Sequence, residues 1–134
     1  MIRLIRSRSK PGLMIKNKSV QFKHEAEAEF ARILDFYRMA WVYEPTIFTL
    51  VAPDGHVCYF QPDFYLSSED RYVEVTVSGQ HHARVKRQRM RQMAEQHPEI
   101  KITLIDRAAF FALLLKFGRA ALAPCILGAA GQLV

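Results

Sequence analysis

Cysteine is scarce in this sequence, and its scarcity excludes two ways of holding a fold together. The two cysteines, Cys58 and Cys125, have neither the spacing of a zinc site nor the number that a disulfide framework needs. Cys58 lies inside a run of strand-forming residues, where we expect a small buried hydrophobe. Zinc is therefore not expected as a cofactor.

Long apolar runs are missing as well. No stretch reaches the roughly 20 apolar residues that a membrane-spanning helix needs, so the sequence predicts no membrane segment. The basic residues 1–8 are not followed by the apolar segment of a secretory signal, which favours a cytoplasmic location. Because this start is poor in acid and contains Arg and Ser, an organelle-targeting segment is the alternative.

Acidic residues are outnumbered by basic ones. The chain has 13 Asp and Glu against 19 Lys and Arg, a net charge of +6 over 134 residues. Seven Lys and Arg residues precede the first acidic residue, Glu25, and most of them lie in a basic arm, residues 1–18. A second basic cluster comprises Arg84, Lys86, Arg87, Arg89 and Arg91. Such clustering predicts binding to a polyanion such as nucleic acid, with solubility alone as the alternative.

Hydrophobic periodicity divides the first part of the chain into a helix and three strands. Apolar residues recur at helical spacing over residues 22–40, with Ser19 as the candidate cap. Aromatic and β-branched residues then predict an antiparallel meander of strands over residues 41–51, 56–66 and 71–77. Pro45 marks an edge, bulge or break in the first strand. Four aromatic residues of these strands are expected in the core rather than as base-stacking platforms: Trp41, Tyr43, Phe48 and Tyr59.

The following part alternates helix and strand. Residues 80–96 are polar and cationic with sparse apolar positions, which predicts a surface helix that His97-Pro98 ends. Residues 100–105 predict a fourth strand, and the strand–helix–strand order predicts that it is parallel to the third. Asp106 can cap a last helix over residues 108–117.

These elements predict one α/β domain over residues 1–134, with a mixed sheet of four or five strands and helices on both faces. Residues 119–134 form an apolar tail that proline and glycine interrupt. Three fates are open to this tail: packing on the core, exchange between two copies in a homodimer, or disorder.

Two carboxylates fall at informative places in this pattern. Asp63 comes near the end of the second predicted strand, and Glu74 lies within the third, eleven positions later around a tight turn. On neighbouring strands both can project from the same end of the sheet, where their oxygens suit a magnesium ion. Val73 and Val75 flank Glu74, so Glu74 points to the opposite face of a helix-covered sheet, and a buried acid there needs a partner such as a metal.

The order of these residues resembles that of the PD-(D/E)xK nuclease superfamily. Pro62-Asp63 is similar to the first half of the family motif, and Glu74-Val75-Thr76 matches the second half in two of three positions. Residues 27–34 are similar to the first-helix pattern of archaeal junction resolvases and short-patch-repair-like nucleases, which points to Glu27, with Glu29 as the alternative. The resemblance implies a restriction-endonuclease-like core that hydrolyses nucleic acid, with DNA as the expected polymer. It further implies that Asp63 and Glu74 hold Mg²⁺ or Mn²⁺.

One position departs from the family pattern, because Thr76 stands where the family has a lysine. A hydroxyl cannot supply the positive charge of that lysine. Lys86 on the following predicted helix is similar in placement to a lysine recruited from elsewhere. Gln80 is a further candidate for contact with a phosphate or a water.

Two other classes of function stay open. The first is a catalytically inactive nucleic-acid-binding module on the same fold, which the missing lysine favours. The second is a protein-interaction domain that forms a homodimer through its apolar tail. Divalent-ion-dependent cleavage, salt-dependent binding without cleavage, and self-association without affinity for DNA would distinguish the three.

Overall fold

A computed structural model describes residues 20–116 of the chain. Ser19, the basic arm and the apolar tail lie outside these residues, so the cap at Ser19 and the homodimer through the tail stay predictions. The elements of the described part are, in chain order, α1 (Glu25–Phe36), β1 (Trp41–Tyr43), β2 (Phe48–Val51), β3 (Val57–Phe60), β4 (Phe64–Leu66), β5 (Arg71–Val75), α2 (Gln80–Gln96), β6 (Ile102–Ile105) and α3 (Arg107–Lys116).

The central sheet has four strands in the order β1-β4-β5-β6. Strand β4 is antiparallel to both β1 and β5, whereas β5 and β6 are parallel. The α2 helix connects the parallel pair, because a parallel neighbour requires a crossover instead of a hairpin. The predicted mixed α/β architecture and the parallel fourth strand are confirmed.

The predicted three-stranded meander is wrong in one respect, because its first two strands each divide in two. Residues 41–51 become β1 and β2, and residues 56–66 become β3 and β4; β2 and β3 form a separate antiparallel hairpin. Pro45 and Pro62 stand in the two breaks, where a residue without an N–H cannot continue a ladder. As a result Asp63 lies in the connection just before β4, and not at the end of a long second strand.

The α1 helix is shorter than the predicted 22–40, and its end has a local cause. Arg38 adopts a left-handed backbone, with a φ of 55°. Its N–H donates to the Asp35 carbonyl at 2.9 Å, and the Met39 N–H donates to the Leu34 carbonyl at 2.9 Å. This ending satisfies the last carbonyl groups of the helix and turns the chain toward β1.

The other two helices follow the sequence pattern closely. The α2 helix spans Gln80–Gln96, as predicted, and the chain leaves it at His97. Asp106 caps α3 as predicted, since its Oδ1 accepts the N–H of Ala109 at 2.9 Å. No helix within residues 20–116 is long and apolar enough to cross a bilayer.

The sheet separates two apolar clusters. Helices α1 and α3 pack on the face that carries Val73 and Val75. On the opposite face, Met93 of α2 packs with the β2–β3 hairpin, and Tyr72 of β5 lies against this second cluster. Successive strand residues point to opposite faces, so Glu74 belongs to the face that α2 and the hairpin cover.

The β2–β3 hairpin is held against α2 by polar side chains. The amide of Gln96 accepts the N–H of Val51 and donates to its carbonyl, both at 2.8 Å. His97 Nε2 lies 2.9 Å from the carbonyl of Thr49. The expectation that Tyr59 is a core residue is wrong, because strand alternation turns it to the outer face of the hairpin, where it is 68% exposed. Cys58, expected to be buried, is only half-buried.

Candidate active site

Asp63, directly before β4, lies beside Glu74 of the neighbouring strand β5. Phe64 pairs with Val73 in the β4–β5 ladder, so the adjoining pair, Asp63 and Glu74, points to the other side of the sheet. Both residues are buried, with exposed fractions of 5% and 0%. The structure thus brings together the two residues that the motif singled out.

Each of these carboxylates accepts a hydrogen bond from the backbone of the other strand. The Asp63 N–H donates to Glu74 Oε1 at 3.0 Å, and the Val75 N–H donates to Asp63 Oδ2 at 2.8 Å. Because backbone donors move only with the sheet, these bonds fix both side chains in orientation. The site is therefore built into the β4–β5 pairing itself.

Helix α2 brings a positive charge to the same place. Lys86 Nζ contacts Glu74 Oε2, and the charge of Lys86 also lowers the pKa of Asp63. Such a partner is needed because an unpaired buried carboxylate is costly. Thr76 is buried two residues after Glu74, and its N–H donates to the Ile105 carbonyl at 2.9 Å. Lys86 therefore supplies at Glu74 the charge that Thr76 lacks.

The two candidate acids of α1 have different surroundings. Glu27 is buried, its Oε1 accepts the hydroxyl of Tyr43 at 2.5 Å, and its charge raises the pKa of Asp63. Glu29 is buried elsewhere and pairs with Arg32 at 2.8 Å. Glu27 is thus the α1 acid that acts on Asp63.

The electrostatic balance at Asp63 is unfavourable to its charge. Burial first, and then the negative charge of Glu27, raise the pKa of Asp63 to about 7. The Val75 N–H and Lys86 oppose this shift, and Glu44 adds to it. An ionised Asp63 is therefore destabilised mainly by its burial and further by the negative charge of Glu27.

Three residues of this site were not predicted from the sequence: Lys23, Tyr43 and Glu44. The Glu44 N–H donates to the Asp63 carbonyl at 2.8 Å, and its carboxylate lies 3.0 Å from Lys23 Nζ. The hydrogen bond from Lys23 to Glu44, together with the charge of Glu44, raises the pKa of Lys23. In the sequence Lys23 precedes α1 whereas Tyr43 and Glu44 follow it, and this order alone does not predict that the three residues meet.

Helix α2 divides the predicted phosphate-binding residues between two sides. Gln80, Arg84, Arg87 and Arg91 are exposed and recur at helical spacing, so they share one outer face. Arg89 is half-buried and donates to Gln92 Oε1 at 3.1 Å. The geometry therefore leaves Gln80 and three of the four arginines for contact with a ligand in solution.

Asp63 and Glu74 are neighbours, but the acids of the site are not arranged around one point. Within residues 20–116, no three Asp, Glu, His or Cys side chains form a group that is ready to hold a metal ion. Lys86 contacts one oxygen of Glu74, and Tyr43 one oxygen of Glu27. A cation that binds Glu74 would therefore compete with the ammonium group of Lys86.

Comparison of this chain with protein-family models, curated proteins and solved structures gave no match.

Proposed function

We propose that this chain is a metal-dependent nuclease with a restriction-endonuclease-like core, acting on nucleic acid and in the first place on DNA. The observation that carries the proposal is the pair of buried carboxylates, Asp63 and Glu74, locked across two strands beside Lys86. Buried acids cost folding free energy, and their clustering at one end of a sheet is typical of a functional site.

The donor set suits a hard divalent cation. Its side chains offer carboxylate oxygens only, which Mg²⁺ and Mn²⁺ prefer over nitrogen and sulfur. Burial and the negative charge of Glu27 raise the pKa of Asp63, and an added cation would lower it by stabilising the ionised carboxylate. Asp63 and Glu74 would hold the ion, with Glu27 as the third acid. A bound divalent ion would neutralise charge on a scissile phosphate and lower the pKa of its water.

Lys86 has a separate role in this proposal. If an ion were held by Glu74, the ammonium group of Lys86 would no longer be needed as the partner of that carboxylate, and α2 would keep it beside the site. There it would stabilise the negative charge that develops on a phosphate during attack, the role of the lysine that Thr76 replaces.

The outer face of α2 supports nucleic acid as the substrate. Arg84, Arg87 and Arg91 extend over roughly 10 Å of helix, at about 1.5 Å per residue. The helix also carries Lys86, so these arginines lie on the element that borders the acids. Contacts of this kind grip the phosphate backbone without reading bases.

Cleavage assays with purified protein test this function. We expect duplex or branched DNA to be cut only when Mg²⁺ or Mn²⁺ is present, and Asp63→Asn or Glu74→Gln to abolish cutting. Lys86→Ala should lower the rate about 10²–10³-fold, as removal of other electrostatic stabilisers does. Lys101→Ala is the matched control, because Lys101 is an exposed lysine outside the acidic cluster. A Lys86→Ala protein as fast as wild type would remove Lys86 from the mechanism.

One observation favours a second candidate, an inactive nucleic-acid-binding module. The contact of Lys86 with Glu74 places a cation where a metal would otherwise bind. If that ion pair is permanent, wild type binds DNA in a salt-dependent way and cuts no substrate with either metal. Lys86→Ala would then increase the affinity for Mn²⁺ without producing cleavage.

A further inference from the structure

Tyr43 stands between two acids of the site. It ends β1, where it pairs with Phe64, the residue that follows Asp63. Its hydroxyl donates to Glu27 Oε1 at 2.5 Å and accepts the N–H of Lys23 at 3.3 Å. Burial, and then the hydrogen bond to Glu27, raise the pKa of the Tyr43 phenol. The hydroxyl is therefore protonated at neutral pH and acts as a donor to Glu27.

The ring of Tyr43 is fixed by its neighbours, so its hydroxyl has little freedom. Phe22 packs edge-on against it at 4.9 Å between ring centroids, and Phe64 packs similarly at 5.6 Å. A long Glu side chain has several rotamers, and Glu27 faces electrostatic repulsion from Asp63. A rigid donor that holds one oxygen of Glu27 selects a single orientation for this carboxylate.

The backbone after Tyr43 is unusual and is held in place by several contacts. Glu44 adopts a left-handed conformation with a φ of 49°, which is unfavourable for a residue with a side chain. Its N–H donates to the backbone carbonyl of Asp63, and its own carbonyl accepts a hydrogen bond from Gln61 Nε2 at 2.9 Å. Its carboxylate forms an ion pair with Lys23. This turn connects Tyr43 rigidly to the segment that carries Asp63.

We infer that Tyr43 is a positioning residue for Glu27, whose hydroxyl sets the distance and orientation of that carboxylate relative to Asp63 for binding a divalent cation. This inference rests on the proposed function. Groups that hydrogen-bond a metal ligand typically change metal affinity about 10–100-fold when they are removed.

The test is a comparison of Tyr43→Phe with wild type in the full-length protein. The change removes the hydroxyl and keeps the packed ring. We expect the Kd for Mn²⁺, measured by calorimetry, and the Mg²⁺ concentration for half-maximal cleavage both to rise about 10–100-fold. Cleavage at saturating metal should recover most of the wild-type rate, which a general loss of folding would not allow.

Tyr65→Phe is the matched control. The Tyr65 hydroxyl also donates to a carboxylate, Asp70 Oδ1 at 2.8 Å, but this hydrogen bond is exposed and Asp70 lies beyond the end of β4 that is farther from Asp63. Its removal should leave the Kd for Mn²⁺ unchanged. In a double-mutant cycle, Tyr43→Phe should add nothing to Glu27→Gln, because the first residue acts through the second.

The possible results separate this inference from the proposed function. A wild-type protein whose Mn²⁺ binding is absent or insensitive to Asp63→Asn would overturn both. Metal binding that depends on Asp63 but is the same within about twofold in Tyr43→Phe would overturn the inference alone. A lower Tm with an unchanged Kd for Mn²⁺ would likewise assign Tyr43 a packing role only.

Discussion

The charge of Asp63 makes the metal-free protein less stable than it could be, and Asp63→Asn measures that cost. Burial and Glu27 raise the pKa of Asp63 from 3.8 to about 7. Each pH unit between the folded and unfolded pKa values corresponds to about 1.4 kcal/mol, so ionised Asp63 costs on the order of a few kcal/mol. Asparagine keeps an acceptor for the Val75 N–H but carries no charge, so the variant avoids this cost.

The sign of the pH dependence follows from proton binding. Between about pH 4 and about pH 7, the folded protein binds more protons at Asp63 than the unfolded chain, so rising pH lowers the free energy of unfolding. The contribution of Asp63 is fully present below its unfolded pKa and is lost as the pH passes its folded pKa. Asp63→Asn lacks this loss, so the two proteins should diverge over this range.

Urea denaturation in the presence of EDTA tests this expectation. At about pH 8 the Asp63→Asn protein should be more stable than wild type by a few kcal/mol, and near about pH 4 the difference should vanish. Added Mg²⁺ should stabilise wild type at the higher pH and leave the variant unaffected. A wild-type stability that runs parallel to that of the variant from low to high pH would refute the argument.

Three further outcomes are expected. Arg87→Ala should weaken DNA binding equally on all sequences and reduce the slope of log affinity against log salt by about 1. Arg89→Ala should change this slope less, because the Arg89 guanidinium donates to Gln92. Equal slopes for the two variants in binding titrations would contradict the division of α2 into two sides. Phe64→Ala should lower the free energy of unfolding by about 3–5 kcal/mol in urea titrations, because its ring is fully buried among aromatic neighbours. Asp106→Ala should cost about 1 kcal/mol in the same assay through loss of the α3 cap, and an unchanged midpoint would deny the cap a role in stability.

Much of the fold could be predicted from local patterns in the sequence. Helix α2 and the cap at Asp106 were predicted because polar periodicity, His97-Pro98 and an aspartate before an apolar run act over a few residues. The parallel pairing of β5 and β6 followed from the crossover helix between them. The division of the meander did not, since apolar residues occupy both phases around Pro45 and alternation alone could not show where one strand ends.

The candidate site was predictable to a similar extent. Asp63 and Glu74 share a tight connection, so pairing of their strands brings them together. Glu27 could not be distinguished from Glu29 by helical spacing alone. In the folded chain Glu27 differs by its hydrogen bond from Tyr43 and by the effect of its charge on the pKa of Asp63. The site roles of Tyr43 and Glu44 were not predicted, because they depend on the left-handed backbone conformation of Glu44. A glutamate before a proline gives no sequence signal for that conformation.

The contact between α2 and the hairpin affects whether the strands of two copies of this protein can pair edge to edge. A bare edge strand invites another chain to extend the sheet, and the hairpin also exposes Val57 and Tyr59. On β2, however, Gln96 and His97 already occupy the outward backbone groups of Val51 and Thr49. Addition of a strand to β2 would have to break these hydrogen bonds, so the end of α2 and His97 shield this edge of the hairpin.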